Sequence, residues 1–202
     1  MERQQVPSAD APKTVADVAR NLRSAHSRDV KCTVLMGAGC SVSGNIPDAD
    51  GFVGEVASEY PDEYEKAAAT ARKRDPGNET PSYFDCMEEL TQEHRLRLLA
   101  RHIEDLDDAK GARVNWANLC VAWLMHEGYV DRVLTTNFDS LLERACAWLR
   151  VAPAIYDLSL AHDAFRPERI PDRAILHLHG RYHGFMQVMT LAQMQNTGDY
   201  SA

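Results

Sequence analysis

VLMGAGCSVSGNIPD, residues 34–48, is the stretch whose reading decides the fold. It begins inside an apolar, β-branched run, VKCTVLM at 30–36, that halts at Gly37. Such a run predicts a buried strand. Gly37-Ala38-Gly39 then turns the chain, Ser41 and Ser43 follow, and Ile46-Pro47-Asp48 closes the stretch. Glycines admit positive φ and let a diphosphate approach the backbone with no Cβ in the way. The N–H groups of the next turn and the Ser41 hydroxyl can then point at phosphate oxygens. The competing reading of both serines is ordinary turn chemistry. The stretch is neither the full Gly-x-Gly-x-x-Gly fingerprint nor a P-loop, because no Gly-Lys-Ser/Thr follows.

On the N-terminal side, residues 1–12 are polar with two prolines and read as a disordered tail. Val15, Val18, Ala19 and Leu22 recur at helical spacing and predict an amphipathic helix over 14–25. On the C-terminal side, residues 52–128 read as a helical insertion. It contains four helical segments separated by Pro61, by DPGNETP and by DDAKGAR. One stripe joins Met87, Leu90, His94 and Leu98; another joins Trp116, Leu119, Cys120, Trp123 and Leu124. Both are read as packed faces, and Trp148 as core. Short strand signals return in RVLTTNFD, APAIYDLS and RAILHLHG, with a helix, SLLERACAWLRV, after the first of them. GFMQVMT is a candidate last strand. Strands alternating with helices predict an α/β fold, a Rossmann-like parallel sheet in three layers with helices on both faces.

The 202 residues suit one domain, 13–202, and the net charge of −8 carries no Lys/Arg block that would favour nucleic acid. No apolar run approaches the roughly 20 residues of a membrane span. The N-terminus has no apolar signal core, so a cytoplasmic location is expected. The five cysteines show no Cys-x-x-Cys pair, so free thiols are expected and no metal is assigned.

In a parallel sheet, three polar turns would share one edge: the glycine turn, TTNFD with Asn137 and Asp139, and LHLHG with His179 and Gly180. Two alternatives stand beside this. Asp139 is placed to cap the following helix, and His177, His179 and His183 could ligate zinc.

Taken in order, GAGCSVSGNIPD, TTNFD and LHLHG resemble the three signatures of the sirtuin (silent information regulator-like) superfamily. The likeness covers about residues 29–190, and is greatest to bacterial sirtuin-like NAD+ hydrolases of anti-phage defence. It implies a sirtuin-type sheet and NAD+ as the substrate. Gly37, Ala38, Gly39 and Ser41 would hold the diphosphate. Ile46, Pro47, Asp48 and Thr136 belong to the same binding motifs. Asn137 would contact the nicotinamide ribose or position a water, and His179 would act as general base. Asp139, with the Phe138 backbone, would face the carboxamide. Cleavage of this bond needs orientation, a poised base and fixed dipoles more than a strong nucleophile.

The chain also departs from that pattern. Ala49-Asp50 replaces the family's Phe-Arg, with Phe52 as a substitute lid; Asn45 replaces a glycine; Thr136 replaces the deacetylase glutamine. No cysteine-paired zinc module is present. These changes favour water as acceptor over protein deacylation. The family continues for two more strands beyond His-Gly, whereas this sequence ends at Ala202. The resemblance therefore implies missing C-terminal strands and an adenosine half completed by a second copy or a partner protein. It also implies activation by association. A non-catalytic NAD+ or ADP-ribose sensor and an NAD-dependent deacylase are the other expectations.

Overall fold

A computed structural model describes residues 14–77, 80–103, 111–158, 167–184 and 187–196. The expected tail at 1–12 lies outside them. Helix α1 (Val15–His26) starts where Thr14 accepts from the Asp17 N–H and Asp17 reaches back to Thr14, a reciprocal cap. Strand β1 (Cys32–Met36) follows and ends at Gly37, as its apolar run predicts. Short 3-10 turns over Ala38–Cys40 and Val42–Gly44 come next.

Among the described residues, five helices lie between β1 and β2. They are α2 (Ala49–Glu59), α3 (Pro61–Arg74), α4 (Tyr83–Glu89), α5 (Gln92–Ile103) and α6 (Trp116–His126). The sequence reading had joined α4 and α5. Leu90 breaks them with an extended backbone, and Thr91 accepts from the His94 N–H to start α5. Strand β2 (Val130–Thr135), α7 (Leu141–Trp148), β3 (Ala154–Asp157), β4 (Ala174–His177) and α8 (Leu191–Asn196) complete the order. The candidate strand over GFMQVMT reduces to one antiparallel bridge, Gly180 to Gln187, with residues 185–186 outside the described set.

The sheet has four strands in the order β1-β2-β4-β3, and every pair is parallel. This is the α/β, Rossmann-like arrangement that the alternation of strands and helices predicts. One face packs Val34, Met36, Val133 and Ile175 against α6 and α7 through Ala122, Met125, Leu142 and Cys146. The other face gathers Ala174, Leu176 and Ile170 with Leu134 and Tyr156. At β1 that second face is open among the described residues, for Leu35 is 69% exposed. Expected cover on both faces therefore fails at this edge.

The helices of 52–128 divide by packing. Helices α2 to α5 form their own core around Val56, Cys86, Met87 and Leu98, joined by Leu141 of α7 and by Met189. Helix α6 belongs instead to the sheet layer. Its buried residues are Asn118, Ala122 and Met125, so the tryptophan stripe points outward. Trp116 is 80% exposed, and Trp123 and Trp148 are exposed too, contrary to the reading that placed all three in the core. Ala122 and Ala145 are fully buried between α6 and α7. Small side chains let these helices lie close and leave the indoles no room inside. Val188 and Met189 are buried by the chain itself.

The loop after β1 is sewn to residues 111–115. Arg113 N–H donates to Gly44 O at 2.8 Å, Asn115 Nδ2 to Cys40 O at 2.8 Å and Asn45 Nδ2 to Gly111 O at 3.2 Å. Asn45 sits in the left-handed region at φ 68, a conformation asparagine adopts more readily than most residues. A Cβ on Gly44 would run into the Arg113 carbonyl, whereas one on Gly39 meets nothing within 4 Å. Gly44→Ala should therefore cost about 1–3 kcal/mol, and Gly39→Ala should leave stability unchanged. Urea unfolding of both variants checks this pair.

Candidate functional site

Parallel pairing puts the C-terminal ends of β1, β2 and β4 side by side. The Thr136 N–H donates to Met36 O at 3.1 Å and the Leu178 N–H to Thr135 O at 2.8 Å, so the three turns leave the sheet in step. Beyond those ends lies a cavity of about 200 Å³.

Its polar floor is made by Ser41, Thr136, Asn137, Asp139 and His179, beside Ala38 and Phe138. Ile46, Pro47 and Ala49 close one side. The opposite wall is apolar and comes from α2, α4 and α5: Phe52, Tyr83, Phe84, Leu99 and Ile103. Val188 completes it. Among the described residues, no lysine or arginine lines this cavity.

Nine of the twelve residues singled out in the sequence thus share one cavity: Ala38, Ser41, Ile46, Pro47, Thr136, Asn137, Phe138, Asp139 and His179. Gly37, Gly39 and Asp48 are not on its lining. Asp48 is the N-cap of α2, accepting from the Gly51 N–H at 2.9 Å. Gly37 is extended, and the positive-φ glycines among the described residues are Gly128 and Gly180. The left-handed freedom expected of the glycine turn is therefore unused. What Gly37 and Gly39 leave is space.

One hydroxyl organises the polar floor. Ser41 Oγ donates to Asp139 Oδ2 at 2.8 Å and accepts from Asn137 Nδ2 at 2.9 Å. Asp139 Oδ1 accepts from the Leu141 N–H at 2.9 Å, so the carboxylate meets the first amide of α7, but the N-cap position expected of Asp139 falls on Ser140, whose side chain makes no capping bond. Asn137 Oδ1 is buried and has no hydrogen-bond partner among the described residues. A buried acceptor left without a donor costs about 1–3 kcal/mol, so a ligand or water that supplies one is favoured there. The Phe138 carbonyl accepts from the Tyr182 N–H at 2.9 Å, which ties this turn to the one after His179.

Burial pushes the Asp139 carboxyl above its ordinary range, against the Leu141 and Ser41 hydrogen bonds and the nearby His177 ring. Burial also holds His179 below its ordinary value. A neutral imidazole is what a proton acceptor requires.

The three histidines of the possible zinc set do not converge. His177 ends β4, is buried, and pairs with Glu143 at 3.0 Å, whereas His179 faces the cavity. Sequence reasoning had missed Glu143, Arg181 and the α4–α5 wall. The Ser82/Asp85 reciprocal cap of α4 was readable in SYFD and would have fixed the start of the Tyr83–Phe84 helix. Nothing local marks Glu143 as a partner of His177. Among the described residues, no helix is long and apolar enough to cross a membrane.

Comparison with protein-family models and with curated proteins gave no match.

Titration by NMR should place His179 below an ordinary histidine and Asp139 above an ordinary aspartate. Ser41→Ala should move Asp139 higher still, because it removes a hydrogen bond to the ionised form. Folding raises this carboxyl, so its contribution to stability is present below the unfolded value and is lost as pH rises through the folded one.

Proposed function

We propose that the chain binds NAD+ at this sheet edge and hydrolyses its N-glycosidic bond, yielding nicotinamide and ADP-ribose. The observation that carries the reading is the unpartnered Asn137 Oδ1 in a cavity shared with His179. The order of the three motifs, and their likeness to sirtuin-like NAD+ hydrolases, supports the same reading.

The surroundings suit this substrate. The nicotinamide ring of NAD+ is flat and cationic. A wall of Phe52, Tyr83 and Phe84 with no basic side chain favours such a ring. The diphosphate would lie against the turn at Ala38–Cys40, whose first N–H groups have no partner within a helical turn.

In the reaction, the bond from ribose C1′ to the ring nitrogen breaks and its electron pair stays with nicotinamide, which leaves neutral. Water forms the new bond to C1′ and gives its proton to His179. Asn137 Oδ1 accepts from that water or from a ribose hydroxyl and so fixes the direction of attack. The deacylase alternative would add an acyl-lysine requirement to the same chemistry. In the proposed biological setting the chain is an effector of bacterial anti-phage defence. A second copy or a partner protein would complete or trigger the site.

Nicotinamide and ADP-ribose released by the purified chain, separated by chromatography, test this reading. His179→Ala should lower turnover by about 10²–10⁴-fold, the usual contribution of a general base. Asn137→Ala should lower it by about 10²–10³-fold. Turnover unchanged in both variants, or dependent on added acyl-peptide, overturns the hydrolase.

A further inference from the structure

Behind the polar floor lies a group of charged side chains that the reaction above does not use. His177 is buried at the end of β4. Its Nδ1 lies 3.0 Å from the Asn137 carbonyl oxygen and its Nε2 3.0 Å from Glu143 Oε1. Arg181 donates to the other oxygen of the same carboxylate at 2.5 Å. Glu143 sits in the first turn of α7, and Arg181 follows His179 and Gly180.

The proton count follows from the partners. A carbonyl oxygen can only accept, so Nδ1 carries a proton. Glu143 accepts from Arg181 and turns its remaining oxygen to Nε2 at 3.0 Å, so one further proton lies between Nε2 and that oxygen. The ring thus bridges a carboxyl group and a peptide carbonyl. An ion pair out of water endures only when its geometry and hydrogen bonds are complete, and losing one partner leaves a buried charge uncompensated.

We infer that Arg181, Glu143 and His177 form a buried clamp that positions Asn137 for the reaction. The clamp grips Asn137 by its carbonyl while Thr135 Oγ1 accepts from its N–H at 3.1 Å and Ser41 holds its side-chain amide. With three points fixed, the acceptor Oδ1 has one direction left. The clamp also ties the end of β2 to the turn that carries His179, since His177 and Arg181 flank that residue. These are positioning residues: none lines the cavity. Their effect on turnover rests on the proposed reading of the site, whereas the geometry of the clamp does not.

The test therefore has two arms. In the first, ¹⁵N NMR of the full chain reads the His177 ring and the Asn137 side-chain amide. A hydrogen-bonded proton on the ring Nδ1 is expected. In His177→Ala the Asn137 amide signal should shift and exchange faster. His177→Asn puts a side-chain N–H where Nδ1 stood and should restore it. A ring whose Nδ1 carries no hydrogen-bonded proton in the unaltered protein, or an Asn137 amide indifferent to His177→Ala, overturns the clamp whatever the activity.

The second arm reads steady-state nicotinamide release. A misplaced group costs roughly 10–100-fold. His177→Ala should lower kcat by that factor with KM nearly unchanged, and His177→Asn should recover most of it. Equal losses in two variants that fold like the parent overturn the positioning role. A clamp intact by NMR in a chain that releases no nicotinamide sinks the hydrolase reading alone.

Discussion

A hydroxyl group has one proton to give, and at Ser41 that proton goes to Asp139. Its lone pairs must then face a donor, and the Asn137 amide supplies one. This single choice fixes which way the Asn137 amide is turned: nitrogen inward to Ser41, oxygen away from it. Reversing the amide would set two acceptors against each other in a buried space, a cost of about 1–3 kcal/mol. Asn137 and Asp139 both take their orientation at this edge in part from that constraint. It operates only because β1 and β2 are paired in register, which brings the loop after Met36 beside the loop after Thr135.

The apolar wall acts on the same groups from the other side. Helices α2, α4 and α5 contribute no charge to the cavity, and what they remove is water. Loss of water raises the Asp139 carboxyl and lowers the His179 imidazole, opposite directions from one cause, because burial disfavours the charged form of each. On the proposed reading, the insertion is thus part of the chemistry even though its residues are mostly hydrocarbon. It makes a base out of a histidine and strengthens each fixed dipole nearby.

Legibility in the sequence followed the range of the interactions. The strand that stops at Gly37 and the helix that precedes it are local, and local patterns announced them. The gathering of Ser41, Asn137 and His179 was also legible, since a parallel sheet must bring its strand ends to one edge. What could not be read was the rotation of α6. Its stripe of tryptophans fits a buried face by spacing, but close packing through Ala122 and Ala145 decided against it. The Glu143–His177 pair was equally hidden, because 34 positions separate the two residues and no periodicity relates them. The wall of Tyr83 and Phe84 lies at the start of α4, which the Ser82/Asp85 cap sets, and its meeting with α5 across the cavity had no local signal.

The hydrogen bond from Ser41 to Asp139 closes a loop of 98 positions. Closing a long loop costs entropy that grows slowly with length but must be met before the contacts can repay it. Helices α2 to α5 can form and gather locally in the meantime, since neighbouring segments meet early. The polar floor sits on the seam between β1 and β2, so segments far apart in the sequence must all be in place before the site exists. Any loosening of the β1 edge parts Ser41 from Asn137 and Asp139 together.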